Sequence, residues 1–180
     1  MYGQLFCFNR ANLPSIRACL DTSTECHMSV TFCCKIEVRF RDCDEFGHVN
    51  NAVYFTYLEE TRHAYLRHLA SQGVSSNAVD EKLPHGFVLV RTECDFLSEA
   101  LPGDWLEIQL RVSKIGRSSF GYEYEIMNTS KSQLVARAKS VHVAYDRIKK
   151  RSQPIPEEFR AVLERAMQGL SETSIDVVSD

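Results

Sequence analysis

The 180-residue sequence lacks a long hydrophobic run and lacks a strong excess of charge of either sign. No stretch approaches the about eighteen apolar residues that suggest a membrane-spanning helix, so no membrane span is expected. The 21 Lys and Arg residues against 24 Asp and Glu residues leave a net charge of −3. This balance disfavours binding to nucleic acid or to an anionic membrane surface. Internal repeats, strand–helix–strand alternation and the glycine fingerprint of dinucleotide-binding proteins are also missing.

Paired cysteine motifs are missing as well, although the chain contains seven cysteines. Five of them precede residue 35, and no Cys-x-x-Cys pair occurs. An odd number without paired spacing disfavours both a disulfide framework and a tetrahedral zinc site. We therefore expect free thiols in a reducing compartment and no bound metal.

The composition divides the chain into three parts. Residues 1–34 carry two arginines, several Ser and Thr residues and two acids, without a sustained hydrophobic period. We interpret them as a variable N-terminal extension, with a transit peptide as the alternative because such peptides carry Arg and Ser and few acids. One folded domain is predicted over residues 35–168, and residues 169–180 form a polar tail expected to be loose. The expected location is the cytoplasm, or an organelle if the extension is a transit peptide.

Hydrophobic periodicity predicts an α+β domain. Alternation predicts a strand over Lys35–Arg41, and a period near 3.6 residues predicts a long helix from about Asn51 to Gly73. Four more strands are predicted, the first of them central because it is apolar on both faces: Phe87–Leu97, Trp105–Ile115, Phe120–Met127 and Leu134–Tyr145. A short helix follows Pro154 and Pro156. One long helix and five antiparallel strands indicate a sheet wrapped around the helix.

The same periodicity predicts which side chains are buried. Seven residues of the long helix share its apolar face: Tyr54, Tyr57, Leu58, Thr61, Ala64, Tyr65 and Leu69. In the last long strand, one face is predicted to carry Val135, Val141, Val143 and Tyr145. The short final helix is predicted to bury Phe159, Val162, Leu163, Ala166 and Met167.

Polar side chains are concentrated between the first strand and the long helix. The segment Asp42–Asn51 holds two aspartates, a histidine and two asparagines. Asn50 or Asn51 is placed to cap the helix. Because the first N–H groups of a helix are unpaired and carry the positive end of its dipole, this junction can stabilise a developing negative charge.

The two aspartates and the histidine are candidates for proton transfer. In an extended segment Asp42 and Asp44 would point the same way, and their repulsion would raise the pKa of one toward that of a useful base. His48 is a candidate proton shuttle. Purely structural roles are the alternatives, with Asp44 bracing the loop and His48 bonded to the backbone; for Asp42 the structural role is favoured over the catalytic one.

This segment resembles the active-site motif of the hotdog-fold acyl-CoA thioesterases, specifically the 4-hydroxybenzoyl-CoA thioesterase-like branch. The resemblance rests on Asp42–Asn51, on the following Tyr54–Glu59, on the strand order and on the Ile115–Ser119 turn. It extends from about Lys35 to Met167.

The resemblance implies one hotdog domain that releases a carboxylic acid, and specifically a fatty acid, from a thioester of coenzyme A, or of acyl carrier protein as the alternative. No cofactor is implied. Asp44 matches the catalytic carboxylate of the family and would act as general base on water or as nucleophile. His48 and Asn50 would assist it, and a backbone N–H near Asn51 would hold the carbonyl oxygen.

The resemblance also implies substrate contacts and an oligomer. Tyr54 would line the acyl site, while Arg117 and Ser118 would meet the phosphates of the coenzyme. Hotdog domains join their sheets edge to edge, so a homodimer or homotetramer with active sites at the interface is implied.

Two features complicate the assignment of residues. Plant acyl-carrier-protein thioesterases share the His-Val-Asn-Asn pattern, but they carry Asn at the position that Phe46 occupies here. Another hotdog branch uses a glutamate on the central helix, which would be Glu59. That branch lacks the Asp-x-Asp loop, and Glu59 could instead pair with Arg62 or His63.

Two other functions are weighed against thioester hydrolysis. Enoyl-thioester hydratases of the same fold need a His five positions after an Asp, and Gly47 and Val49 occupy the fifth positions after Asp42 and Asp44. A non-catalytic acyl-binding subunit is the other alternative, which the complete Asp42–Asn51 set disfavours.

Overall fold

The computed structural model describes residues 32–71, 74, 85–168 and 174–176. In chain order, the elements are β1 (Phe32–Glu37), a 3-10 turn (Phe40–Asp42), α1 (Asn51–Ser71), β2 (His85–Phe96), β3 (Trp105–Ile115), β4 (Ser119–Asn128), β5 (Gln133–Asp146), β6 (Arg151–Ser152), α2 (Glu157–Met167) and β7 (Ser174–Asp176). The predicted helix end at Gly73 and residues 1–31 of the predicted extension lie outside the described residues.

The strands form a single sheet in the spatial order β2-β5-β4-β3-β1-β7, with β6 paired to β5. Neighbouring strands are antiparallel except β1 and β7. The seven helix residues predicted to be buried are all buried. Of these, Tyr65 meets Tyr122 of β4 edge-on, with 6.1 Å between ring centroids. The predicted hotdog architecture, five long strands around one long helix followed by a short helix, is confirmed.

The first strand begins earlier and ends earlier than predicted. Phe32 and Cys34 are fully buried in β1, and Phe32 packs on Tyr65 with 5.5 Å between ring centroids. After Val38 the chain turns, because the Asp42 carboxylate accepts the backbone N–H of Arg39. The regular alternation through Phe40 is therefore misleading: Phe40 lies in the 3-10 turn and is 87% exposed.

The second strand lies at an edge of the sheet, so its predicted central position is wrong for the single chain. In the part of the chain that the structure describes, β2 pairs only with β5. A bulge between Leu89 and Arg91 leaves Val90 out of the ladder and 57% exposed. An apolar edge strand with unpaired backbone groups is a surface that another strand can cover.

The fifth strand turns the other face toward the helix than the sequence predicts. Val135 is buried as expected, but Val141 and Val143 are only half-buried. The buried alternate positions are small or polar: Ala136, Ala138, Ser140, His142 and Ala144. Small side chains leave room for the aromatic rings of α1 and β4, and periodicity alone does not say which face lies inward.

The C-terminal region differs from its prediction in two places. Ser174–Asp176 pair in parallel with Cys33–Lys35, so this part of the predicted loose tail is a strand. In α2, Met167 is 48% exposed and was wrongly predicted as buried, whereas Phe159 and Leu163 are fully buried.

Candidate active site

The loop between β1 and α1 is held closed by backbone hydrogen bonds. The N–H of Asn50 donates to the Asp42 carbonyl at 2.9 Å, and that of Asp44 donates to the His48 carbonyl at 3.0 Å. Gly47 has a φ of 81°, a conformation that residues with a Cβ rarely adopt, and its N–H donates to the Asp44 carbonyl. The loop geometry therefore fixes Asp44 and His48 next to each other.

Asp44 is partly exposed, and only one of its two carboxylate oxygens makes a contact with the described residues. Its Oδ1 accepts the backbone N–H of Phe46 at 2.9 Å and lies 3.8 Å from Nδ1 of His48. None of the contacts among the described residues uses Oδ2. The carboxylate is thus oriented by one oxygen and can accept a proton from water with the other.

His48 lies beside Asp44, and both side chains are partly exposed. Its ring stacks on Phe46 with 6.0 Å between centroids, and Nδ1 is 3.4 Å from the Val49 carbonyl. A separation of 3.8 Å from Asp44 exceeds hydrogen-bonding distance, so the contact is electrostatic. Catalytic contacts are often this loose in unliganded sites and shorten when substrate binds.

The start of α1 is capped by Asn50 rather than Asn51. The Asn50 Oδ1 accepts the N–H of Ala52 at 2.9 Å, and its carbonyl accepts the N–H of Val53 at 2.9 Å. No hydrogen bond in the described part of the chain uses the N–H of Asn51. This donor lies at the positive end of the helix and is free to hold an oxyanion.

Removing the cap should weaken the fold modestly. We expect Asn50→Ala to lower the free energy of unfolding by about 1 kcal/mol, because the Ala52 N–H loses its acceptor. Chemical denaturation of the purified variant measures the change. Asn50→Asp is the control and should remain within a few tenths of the wild-type value; an equal loss in both variants would contradict a capping role.

A cleft of about 300 Å³ opens beside the helix start. It is lined by His48, Val49, Asn51, Tyr54 and residues 96–99. The Tyr54 ring packs edge-on against Phe96 at 5.1 Å between centroids. Asp44 is not among the lining residues, but its Oδ1 lies 3.8 Å from Nδ1 of His48, which is one of them. The segment 96–99, which starts at the last residue of β2, was missed by sequence reasoning because it carries no motif; the predicted end of a strand was its only signal.

Asp42 does not take part in the cleft. It is buried, and its Oδ2 accepts the Tyr57 hydroxyl at 2.9 Å and the Arg39 N–H at 3.0 Å. Burial opposes ionisation, but the hydrogen bonds from Arg39 and Tyr57 outweigh it and lower the pKa of Asp42. The expected extended pair with Asp44 is therefore wrong, since Asp42 lies in a 3-10 turn and has a structural role.

The lowered pKa makes Asp42 a source of pH-dependent stability. Its contribution is present above the unfolded value near 3.8 and is lost as the pH falls through the lower folded value. We expect Asp42→Asn to cost about 1–3 kcal/mol at neutral pH and less below pH 4. Denaturation at several pH values tests this. Glu37→Gln, an exposed carboxylate on β1, should cost almost nothing, and a pH-independent loss in Asp42→Asn would contradict the account.

Arg117 and Ser118 lie in the turn between β3 and β4. The Ser118 carbonyl accepts the N–H of Ala144 at 2.8 Å. By strand register, Ser119 pairs with Val143 and Val143 pairs with Val88, near the start of β2. The cleft lies at the other end of β2. Eight strand residues separate the two ends, which corresponds to about 26 Å. A single chain therefore does not bring Arg117 and Ser118 to the cleft.

The helix glutamate considered as an alternative base is exposed. Oε1 of Glu59 lies 3.9 Å from Nε2 of His63, one turn along α1, as the spacing suggested. Its side chain does not line the cleft. The described residues contain no group of three or more His, Cys, Asp or Glu side chains arranged to hold a metal ion. No helix within them is long and apolar enough to cross a membrane.

A sheet wrapped around a helix, with a free N–H at the capped helix start beside a carboxylate, places the protein among the hotdog-fold hydrolases. Residues 38–163 match the family described as the Thioesterase-like superfamily. The chain belongs to this superfamily and is a thioester hydrolase by class.

Three relatives illustrate the range of that class. A 1,4-dihydroxy-2-naphthoyl-CoA hydrolase of Nostoc punctiforme is 32% identical over 71% of this chain and 82% of the relative. The chloroplastic acyl-acyl carrier protein thioesterase ATL3 of Arabidopsis thaliana is 30% identical over 71% of this chain, which spans 64% of that protein. A thioesterase from Thermus thermophilus, crystallised with coenzyme A and Zn, is 33% identical with a TM-score of 0.65, covering 78% and 96% of the two chains.

Proposed function

We propose that the protein hydrolyses acyl-CoA thioesters to a carboxylic acid, in particular a fatty acid, and free coenzyme A. The observation that carries this proposal is the placement of Asp44 and His48 beside the unbonded N–H of Asn51 at the start of α1. The Thermus thermophilus relative with bound coenzyme A supports the choice of carrier. The reaction is placed in the cytoplasm, or in an organelle if the N-terminal extension is a transit peptide.

The proposed reaction uses the helix start as an oxyanion site. The thioester carbonyl oxygen accepts the Asn51 N–H, and one such donor contributes about 3 kcal/mol in the transition state. Asp44 takes a proton from water as the water attacks the carbonyl carbon, or attacks that carbon itself. When Asp44 acts as base, the C–S bond of the tetrahedral intermediate breaks, the acid leaves, and the proton taken by Asp44 passes through His48 to the thiolate of coenzyme A. When Asp44 acts as nucleophile, the C–S bond breaks to leave a mixed anhydride on Asp44, and water hydrolyses this anhydride to the free acid and the Asp44 carboxylate. Asn50 assists by fixing the first turn of the helix.

Acyl carrier protein is the alternative carrier, and a non-catalytic acyl-binding subunit is the less favoured alternative. The Arabidopsis thaliana relative is named for acyl carrier protein, and the Nostoc punctiforme relative for an aromatic acyl group. Tyr54 and Phe96, which line the cleft, are apolar enough for either an alkyl or an aromatic group.

We also propose a homodimer joined along β2, with doubling to a tetramer as a further step. The exposed apolar residues Val88, Leu89 and Val90 lie on this unpaired edge. Antiparallel pairing of two β2 strands would place the start of one strand beside the end of the other. The partner's Arg117 and Ser118 would then approach the cleft, where they could bind the phosphates of the coenzyme.

The proposal is tested by thiol release from a panel of acyl-CoA and acyl-carrier-protein thioesters of increasing length. We expect turnover on coenzyme A thioesters, with kcat/KM falling when the carrier is the protein. Glu59→Gln serves as the control and should retain wild-type activity. Absence of thiol release on every thioester would refute hydrolysis. Loss of activity in Glu59→Gln would identify Glu59 of α1, instead of Asp44, as the catalytic carboxylate.

A further inference from the structure

The core of the domain contains a buried arginine for which the described residues supply no acidic partner. Arg62 of α1 is only 7% exposed. Its Nε has no hydrogen-bond partner, and none of the ion pairs in the described part of the chain includes it. An arginine guanidinium keeps its charge in proteins, and a buried charge is normally paired. Among the described residues, Arg62 thus has no anion that balances its charge.

The groups around Arg62 do not neutralise it. The Tyr124 hydroxyl lies 3.0 Å from the Ser140 Oγ, which in turn lies 2.9 Å from Nε2 of His142. Burial and the nearby Arg62 charge lower the pKa of His142 to about 3, so this ring is neutral. Burial raises the pKa of Tyr124, so its hydroxyl is also neutral despite Arg62.

A second buried polar group lies in the same row of the sheet. Thr92 of β2 pairs in register with Ser140 of β5, and its Oγ1 is buried without a partner. Buried polar atoms in folded proteins are nearly always hydrogen-bonded, so two unpaired groups near one row indicate a missing ligand atom. An oxygen that accepts from both Arg62 and Thr92 would satisfy them.

Arg62 lies on the same face of α1 as a residue that lines the cleft. Tyr54, Leu58 and Arg62 follow one another at four-residue spacing on one face of α1, and Tyr54 lines the cleft. On the facing strand, Thr92 lies four residues before Phe96, which packs on Tyr54. From Asn51 to the guanidinium, the distance along the helix is roughly 11 Å, because eleven residues rise about 16 Å and the side chain points back by about one turn.

We infer that Arg62 and Thr92 form the far end of the acyl site and bind the terminal carboxylate of an ω-carboxyacyl thioester. This inference rests on the proposed thioester hydrolysis at Asp44. The substrate class is a medium-length dicarboxylic acid joined to coenzyme A through one of its carboxyl groups. A chain of about eight to ten carbons spans the roughly 11 Å between the helix start and the guanidinium.

The first test compares two coenzyme A thioesters of equal length, suberyl-CoA with a terminal carboxylate and octanoyl-CoA without one. We expect the wild-type protein to hydrolyse suberyl-CoA with a kcat/KM at least tenfold higher. Shorter dicarboxylyl thioesters, such as succinyl-CoA, should lose this advantage because they do not reach Arg62. An equal or higher kcat/KM for octanoyl-CoA would overturn the inference.

The second test removes the charge and keeps the side-chain length. In Arg62→Met the ratio of kcat/KM for suberyl-CoA over octanoyl-CoA should fall at least tenfold, mainly through a higher KM for suberyl-CoA. Arg67→Met, an exposed position on the same helix, is the matched control and should keep the wild-type ratio. A variant that loses both activities by the same factor would show a structural role and overturn the inference. If Arg62→Met does not fold, Thr92→Val should lower the same ratio, and an unchanged ratio counts against the inference.

Binding separates this inference from the proposed reaction. Calorimetry on Asp44→Asn should show tighter binding of suberyl-CoA than of octanoyl-CoA by at least tenfold. If the wild-type protein releases no thiol yet this difference is observed, hydrolysis is refuted and the carboxylate site stands. If thiol is released but the two thioesters bind equally, hydrolysis stands and the carboxylate site is refuted.

Discussion

Asp44→Asn is expected to lower kcat for thiol release by about a thousandfold while leaving the protein folded. The amide cannot accept a proton from water and cannot attack the thioester carbonyl. Its oxygen can still accept the Phe46 N–H, so the loop geometry is kept. The change should fall on kcat more than on KM, because the carboxylate acts on the reacting water rather than on the bound acyl chain. Thiol release at saturating acyl-CoA measures it.

The control for this variant is a neighbouring carboxylate in the same loop. Glu45 is exposed, and Glu45→Gln should retain activity within threefold of the wild type. If Asp44→Asn keeps its activity within tenfold of the wild type, Asp44 is not the catalytic carboxylate. A larger loss in His48→Ala than in Asp44→Asn would instead make the histidine the principal base.

Val90→Asp is expected to convert an active dimer into a monomer with at least a hundredfold lower activity. Val90 lies at the bulge of the unpaired edge strand, where a carboxylate on each copy would disfavour pairing of the two strands. Activity should fall because the proposed site requires Arg117 and Ser118 of the partner subunit. Light scattering coupled to size-exclusion chromatography gives the mass, and thiol release gives the activity of the same fraction.

Met167→Asp is the matched control for Val90→Asp. Met167 is also an exposed apolar residue, but it is the last residue of α2, which packs near β3 and meets β2 through Phe159 two turns earlier. This variant should remain dimeric and active. A fully active Val90→Asp monomer would show that one chain is sufficient and would leave Arg117 and Ser118 without a role in the cleft.

The parts of the fold that depend on local sequence were predictable. The bounds of β3 are those predicted, because clean alternation and turn residues on both sides define them. The burial of one face of α1 follows from its 3.6-residue period. In the loop, the cap at Asn50 and the proximity of Asp44 to His48 follow from spacing within ten residues.

The parts that depend on distant contacts were not predictable. The apolar run of β2 indicated a central strand, but its position is set by pairing with β5, whose residues follow their β2 partners by 40 (Phe96 and Ala136) to 61 (His85 and Asp146) positions. The turn that removes Phe40 from β1 depends on the Tyr57 hydroxyl and the Arg39 N–H meeting the Asp42 carboxylate. The bond to Tyr57 joins residues 15 apart, so strand periodicity cannot report it. The Arg39–Asp42 bond is local, but an alternating apolar pattern does not distinguish such a turn from a continued strand.

The candidate site likewise has a part that local sequence predicts and a part that depends on distant contacts. Asp44, His48 and Asn51 come from one stretch of chain and could be predicted as a group. Residues 96–99 complete the cleft only because the end of β2 passes the start of α1. The buried Arg62 was considered only as a surface partner of Glu59, since nothing in a helical period distinguishes a buried arginine from an exposed one.

Hydrolysis at the start of α1 is tested most directly by following both products in isotopically labelled water. Purified wild-type protein and a medium-chain acyl-CoA are incubated, and free coenzyme A and free acid are quantified by mass spectrometry. Hydrolysis with Asp44 as the catalytic carboxylate predicts equal amounts of the two products, one labelled oxygen atom per acid molecule over many turnovers, and loss of both products in Asp44→Asn. Release of coenzyme A without free acid, or labelled acid formed equally fast by Asp44→Asn, would contradict it.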